Sequence, residues 1–170
     1  MSEFSRVLDA RHLPAGPQSM KASLQECAEL ARRFGLVQVR SLSGTVTCAA
    51  DGPTVRVTGR LRAQIVQSCA VSGDDFPVRI DEPVALVFVP ASTAPLSEDV
   101  IELDAAELDE IEMQGSQFDL GEALAQGLAL AVDPYAEGPG AEAARRQAGV
   151  LDSSDTGPFA ALKKLLRDKN

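Results

Sequence analysis

Arginines at alternating positions are the residues with the clearest potential for binding chemistry. Arg56, Arg60 and Arg62 share the even-numbered positions of one segment with Thr58 and Gln64, and Arg40 lies in the segment before it. Guanidinium groups gathered on one strand face can bind phosphate oxygens in bidentate fashion. Three or four of them supply only a few phosphate contacts, so a second interpretation stays open, in which this face pairs with carboxylates of the same chain.

No motif for catalysis or metal binding accompanies these arginines. His12 is the only histidine, and Cys27, Cys48 and Cys69 are spaced by 21 residues without a CxxC pair. The sequence has neither the glycine-rich loops of nucleotide-binding proteins nor the HExxH motif, and its carboxylates lack the spacing of a calcium loop. We therefore predict a protein that is not an enzyme, uses no metal or cofactor and has no small-molecule substrate.

The carboxylates of the chain are segregated from its basic residues. Between Asp81 and Glu142 there are fifteen Asp or Glu residues and no Lys or Arg, within a chain of net charge −9. An acidic middle of this kind suits a basic partner protein or the chain's own basic ends. The alternative is a solvated acidic loop that keeps the protein soluble.

Neighbouring strands must position the arginines. Apolar residues alternate with polar ones from 55 to 65, which predicts a half-buried strand. The segment Leu36–Ala49 is predicted to pair with it through a turn at Asp51-Gly52-Pro53, with Gly44 as a bulge or register correction. A third strand is predicted at Val78–Val89, which gives an antiparallel meander.

Further elements are predicted on both sides of this meander. A strand at Phe4–Leu8 and a helix at Ser19–Phe34, ended by Gly35, precede it. The acidic stretch after it is predicted to contain an edge strand at Asp99–Leu103 and a helical turn at Ala105–Glu110.

A second helix is predicted to begin at Asp119. The Asp119 carboxylate can cap the helix, Glu122 can complete a capping box, and Pro134 ends the apolar stripe.

The predicted fold class is α+β, with an antiparallel sheet of about four strands that is curled or is completed by the N-terminal strand, two packed helices and a flexible C-terminal tail. Residues 1–134 form one domain that includes an acidic segment at 91–116, residues 135–156 form a flexible linker, and residues 157–170 form a short amphipathic helix. No apolar run approaches the ~20 residues that span a bilayer, and the N-terminus lacks the apolar core of a signal peptide. We expect a cytoplasmic protein with reduced thiols.

The terminal helix carries further candidate binding residues. Its apolar face and its charges are supplied by Phe159, Leu162, Lys163, Lys164 and Arg167. A helix this short is marginal in isolation. It therefore either packs back on the domain or docks on a partner, and the sequence leaves both open.

Several stretches together resemble the YceD family of bacterial large ribosomal RNA subunit accumulation proteins. They are the hairpin segment TVRVTGRLRAQIVQSC, the strand IDEPVALVFVP, the helix FDLGEALAQGLALAVDPY and the terminal PFAALKKL, in that order. The resemblance implies a role in synthesis, processing or stability of 23S ribosomal RNA and in assembly of the large ribosomal subunit, without enzymatic activity. The partners it implies are ribosomal RNA, a precursor particle or a basic ribosomal protein.

One departure from the family concerns cysteine. Many members have a second cysteine three residues after the position of Cys69 and a further cysteine cluster after the position of Pro134, which suggests a metal site. Here Ser72 and the cysteine-free segment Tyr135–Gly140 stand in those places. A structural zinc site needs four ligands, so we expect a function that does not depend on metal.

Two other function classes remain alongside the ribosomal one. The first is an RNA-independent protein adaptor that uses the acidic segment and the terminal helix. The second is an acidic nucleic-acid mimic that blocks one basic protein.

Overall fold

The computed structural model describes residues 2–91 and 109–149 of the chain. The fold is α+β, as predicted. In chain order the elements are β1 (Val7–Asp9), β2 (Gln18–Lys21), α1 (Leu24–Phe34), β3 (Gln38–Asp51), β4 (Thr54–Ser68), β5 (Asp75–Pro90), β6 (Asp109–Met113), β7 (Gln117–Asp119), α2 (Leu120–Ala131) and α3 (Ala141–Gln147). The described residues fall into two compact units: the first lies within Met1–Gln67 and Pro77–Asp133, and the second comprises 68–76 and 134–149.

The main sheet has five strands in the order β2-β3-β4-β5-β6, one more than predicted. β2 pairs antiparallel with β3, and β3 pairs antiparallel with β4. The expectation that the N-terminal strand completes this sheet is wrong, because β1 pairs with β7 in a separate two-stranded sheet. β2 occupies the edge of β3 instead.

The first helix starts later than predicted, at Leu24 rather than at Ser19. Ser23 and Glu26 form a reciprocal capping box that fixes this start, and residues 18–21 before it are in β2. Gly35 ends α1 as expected, with a φ of 65° that favours glycine. The buried face of α1 is formed by Cys27, Leu30 and Ala31, and the helix packs on β3.

The β3–β4 hairpin confirms the predicted pairing and turn. Asp51 lies opposite Thr54 across Gly52 and Pro53. The register shift lies between Val39 and Ser41, however, and not at Gly44. Gly44 has a different role, since a Cβ atom there would lie 2.6 Å from Cδ1 of Leu124 on α2.

The acidic stretch lies only partly within the described residues. The predicted edge strand at Asp99–Leu103 falls outside them. The predicted helical turn at Ala105–Glu110 is wrong at its end, where Asp109 and Glu110 begin β6. β6 runs parallel to β5, with Phe88 opposite Ile111, so the sheet is mixed rather than purely antiparallel.

The second helix, α2, begins where predicted. The Asp119 side chain accepts a hydrogen bond from the backbone N–H of Glu122, as expected for the cap. The predicted capping box is wrong, because the Glu122 carboxylate binds partners other than the backbone N–H of Asp119. The Glu122 carboxylate accepts hydrogen bonds from Arg33 Nη2 at 2.6 Å and from the Ser2 hydroxyl at 2.6 Å. These contacts connect α2 to α1, and the Arg33 guanidinium holds the pKa of Glu122 at about 2.

The described part of the predicted linker contains α3, and Gly138 packs closely on the Phe76 ring. The predicted terminal helix at 157–170 falls outside the described residues. Among the helices of the described ranges, none combines the length and the apolar character needed to cross a bilayer.

Glycines at two packed positions give a direct test of the fold. A Cβ at Gly59 would overlap the Thr45 carbonyl oxygen and lie 2.6 Å from Val46 Cα, so we expect Gly59→Ala to destabilise the protein by about 2 kcal/mol or more. Gly127 in α2 is the matched control, because a Cβ there meets Leu61 Cδ2 at an ordinary 3.7 Å. Gly127→Ala should stabilise by roughly 0.5–1 kcal/mol through helix propensity. Denaturant unfolding measures both, and equal effects of the two changes would contradict the close β3–β4 approach.

Candidate basic surface and cysteine loop

The predicted strand arginines lie together on the outer face of β4. Arg56, Arg60 and Arg62 are exposed, while residues 55, 57, 61, 63 and 65 between and around them are buried. The alternation arises because successive side chains of a strand point to opposite sides of the sheet. Because the apolar side chains are buried on one side of β4, the guanidinium groups lie on its solvent-exposed side.

Two aspartates contact these arginines. Asp81 accepts a hydrogen bond from Arg60 Nε at 2.7 Å and another from Arg62 Nε at 3.3 Å. Arg56 pairs with Asp51 at 3.2 Å. Hydrogen bonding from Arg60 lowers the pKa of Asp81, so the carboxylate stays ionised and neutralises part of the surface.

Pairing of the arginine row with carboxylates of the same chain is compatible with phosphate binding by the same arginines. The pairs with Asp51 and Asp81 are all solvent-exposed, and exposed ion pairs are weak and screened by salt. A phosphate group can replace Asp81 as the acceptor of Arg60 and Arg62 without breaking any buried interaction.

Arg40 is exposed and lies at the bulge of β3, with its Nε 3.3 Å from the Gln38 side-chain oxygen.

Two further cations on the strands were not predicted from the sequence. Arg79 is exposed on β5 between half-buried Val78 and buried Ile80, and the alternation of the predicted strand was sufficient to find it. Lys21 was missed because residues 19–34 were predicted as one helix, whereas Lys21 lies in β2.

The remaining predicted binding residues fall outside the described ranges. They are Phe159, Leu162, Lys163, Lys164 and Arg167.

Cys69 is the centre of a separate loop in the second unit. Its side chain is buried, and its Sγ accepts hydrogen bonds from the backbone N–H groups of Val71 at 3.4 Å and Ser72 at 3.3 Å. The Cys69 N–H donates to the Asp74 carbonyl at 2.8 Å, which closes the turn. Hydrogen bonds from the Ser72 hydroxyl, and then from the backbone of Ser72 and Gly138, lower the pKa of Cys69 to about 7.

The loop does not fit a structural metal site. Ser72 directs its hydrogen bonds at the Cys69 sulfur, where a metal-binding loop would supply a second ligand. Within the described ranges no three His, Cys, Asp or Glu side chains lie close enough together to hold a metal ion. Hydrogen bonds to one sulfur therefore organise this loop.

Comparison with protein families gives one match. A family model described as "Large ribosomal RNA subunit accumulation protein YceD" matches residues 57–166, well over half of the chain. The match includes Arg60, Arg62, the Cys69 loop and α2. Searches of curated proteins and of solved structures gave no significant match.

The Cys69 hydrogen bonds predict a dependence of stability on pH. The pKa of Cys69 is lower in the folded protein, about 7, than the ordinary thiol value of 9.0. Folding therefore favours the thiolate, and this contribution is complete above pH 9 and lost as the pH falls through about 7.

The measurement is the free energy of unfolding of the wild type and of Cys69→Ala from pH 6 to pH 10. The difference between the two should grow between about pH 7 and pH 9. Cys48→Ala is the control, because burial raises the pKa of Cys48 and no gain in this window is expected. A difference that stays constant with pH would contradict the hydrogen-bonded thiolate.

Proposed function

The chain belongs to the YceD family of large ribosomal RNA subunit accumulation proteins, and from this membership we propose that it is a non-catalytic factor for 23S ribosomal RNA. It acts in synthesis, processing or stability of that RNA and in assembly of the large ribosomal subunit. The observation that carries the proposal is the exposed row of Arg56, Arg60 and Arg62, since a guanidinium surface suits a phosphate backbone.

Two of the three cysteines and the histidine are unsuited to nucleophilic catalysis. Cys27 and Cys48 are buried in the core, and burial raises the pKa of both thiols, which disfavours the nucleophilic thiolate. His12 lies in the turn after β1, where its N–H bonds the Asp9 carbonyl. Neither arrangement pairs a nucleophile with a base.

We assign a binding partner to each charged segment of the chain. Arg40, Arg56, Arg60 and Arg62 contact RNA, and the terminal residues Phe159, Leu162, Lys163, Lys164 and Arg167 contact RNA or a partner protein. The acidic middle binds or shields a basic ribosomal protein. We place the protein in the cytoplasm, where the large subunit is assembled in bacteria.

Charge reversal of the strand arginines tests RNA contact on particles. Tagged wild-type protein should recover large-subunit RNA and ribosomal proteins from its own cells, and Arg60→Glu with Arg62→Glu should reduce this recovery about ten-fold or more. Arg11→Glu with Arg146→Glu is the matched control, because both arginines are exposed, lie outside the arginine row and carry the same charge.

Nuclease treatment separates RNA contact from protein contact in the same capture. Loss of large-subunit components after nuclease supports RNA contact. Recovery without any large-subunit component would remove the ribosomal proposal.

An RNA-independent adaptor is the second candidate, and one groove favours it. The groove has a volume of about 720 Å³ and lies among α2, β5 and β6, with Leu61, Leu86 and Leu124 in its lining. Leu130 at its side is 82% exposed. Apolar docking in this groove would survive nuclease and high salt, whereas binding through the arginines would not.

Asp81 should restrain RNA binding. Asp81→Asn removes one negative charge and releases Arg60 and Arg62 for phosphate, so affinity for a transcribed large-subunit RNA fragment should rise roughly two- to five-fold. Asp9→Asn is the control with the same charge change, because Asp9 pairs with Arg11 outside the main sheet. Titration by fluorescence anisotropy measures both, and equal affinities of the two variants would show that Asp81 does not compete with phosphate.

A further inference from the structure

We propose that the outer face of β2–β5 binds double-stranded RNA through phosphates and 2′-hydroxyl groups, and that Lys21 and Arg79 belong to this surface. The proposal rests on the proposed function, because it specifies the kind of RNA that the arginine face recognises. It adds two cations and a set of hydroxyl groups to the arginines predicted from the sequence.

Strand register places Lys21 on the arginine face. Lys21 lies opposite Ser43 across β2 and β3, and Ser43 lies opposite Arg62 across β3 and β4. Residues directly opposite in antiparallel strands have side chains on the same face. Lys21 is therefore two strands away from Arg62, about 10 Å across the sheet.

Ion pairs place Arg79 on the same face. Asp81 contacts Arg60 and Arg62 and so marks the outer side of β5. Arg79 is two residues from Asp81, and buried Ile80 lies between them. A period of two puts Arg79 and Asp81 on one side of the strand.

Hydroxyl side chains lie among these cations. Ser43 is paired with Arg62, Thr45 with Arg60, and Thr47 with Thr58. Each hydroxyl can accept a hydrogen bond from a ribose 2′-hydroxyl and donate one to a phosphate oxygen, for which Ser43 exchanges its 3.4 Å hydrogen bond to the Arg62 carbonyl. Recognition of double-stranded RNA uses mainly these two groups.

The strands of this face present no aromatic ring within the first unit of the described residues. β2, β3 and β4 contain no aromatic residue, Phe4, Phe88 and Phe118 are buried in the core, and Phe34 packs against it. Tyr135, which is exposed, and Phe76 belong to the second unit. Proteins that bind single-stranded RNA stack unpaired bases on exposed aromatic rings. A surface of cations and hydroxyls without rings instead suits a duplex, whose bases are already stacked.

Carboxylates set the limits of the surface. Of its six cations (Lys21, Arg40, Arg56, Arg60, Arg62 and Arg79), Arg56 pairs with Asp51, and Arg60 and Arg62 pair with Asp81. Asp75 at the start of β5 is a further exposed carboxylate. At the far edge of the sheet β6 carries exposed Glu110 and Glu112. These glutamates repel phosphate, so the duplex lies over β2, β3, β4 and the first half of β5.

The test uses the full-length protein and four synthetic probes of one sequence: a blunt RNA duplex, its two separate strands, and the DNA duplex. Fluorescence anisotropy is measured over a series of salt concentrations. We expect the RNA duplex to bind more tightly than either single strand and than the DNA duplex. Lys21→Glu and Arg79→Glu should each weaken duplex binding roughly ten-fold and reduce the salt slope by about one.

Control variants test whether weaker binding arises from unfolding or from the change in net charge. Arg11→Glu, outside the main sheet, should leave duplex affinity unchanged. Lys21→Gln and Arg79→Gln are milder variants that should weaken binding in the same direction, and circular dichroism verifies that each variant is folded.

Three outcomes would overturn the proposal in different ways. Tighter binding of the single strands would contradict the duplex as ligand. Loss of binding in Arg60→Glu with Arg62→Glu, without any effect of Lys21→Glu or Arg79→Glu, would remove those two cations while the proposed function stands. Absence of binding to every probe would remove RNA contact by this face, whereas particle capture decides the proposed function separately.

Discussion

The register of β3 against β4 is the constraint on which the rest of this structure depends. Val55, Val57, Leu61, Ala63 and Ile65 are all almost fully buried on one side of β4. A slip of one residue would bring the arginines into the core and the apolar side chains into solvent. Burial of the apolar face therefore fixes the geometry of the basic face.

Close packing of the helices reinforces this register. Leu124 of α2 packs over Gly44, where a side chain would collide with it, and Leu61 of β4 contacts α2 at Gly127. Arg33 connects the helices through Glu122 and also binds Glu3. The side chains of these pairs are 22–33% exposed, less than those of the pairs on the arginine face, so salt screens them less. Charged side chains therefore connect the two helices on one side of the sheet, whereas those on the other side form more exposed pairs with Asp51 and Asp81.

Hydrogen bonds to one sulfur organise the Cys69 loop. The backbone N–H groups of Val71 and Ser72 donate to Cys69 Sγ, and the Ser72 hydroxyl also lowers the pKa of this thiol. Donors of this kind favour the charged thiolate over the neutral thiol. The stability of the folded chain consequently depends on the ionisation of this one side chain.

Local patterns in the sequence determined the α+β class, the β3–β4 hairpin with its turn, the cap at Asp119 and the arginine face, because each depends on residues near one another in the chain. Only the tertiary structure decided the pairing of β2 with β3, the parallel β6, the β1–β7 pair and the bulge at Val39 to Ser41. Residues 18–21 could extend a helix as easily as an edge strand until β3 offered backbone partners. The same pairing places Lys21 on the basic face. Contacts between distant segments depend on which strand edge is free in the folded chain, and the residues around Lys21 do not determine this.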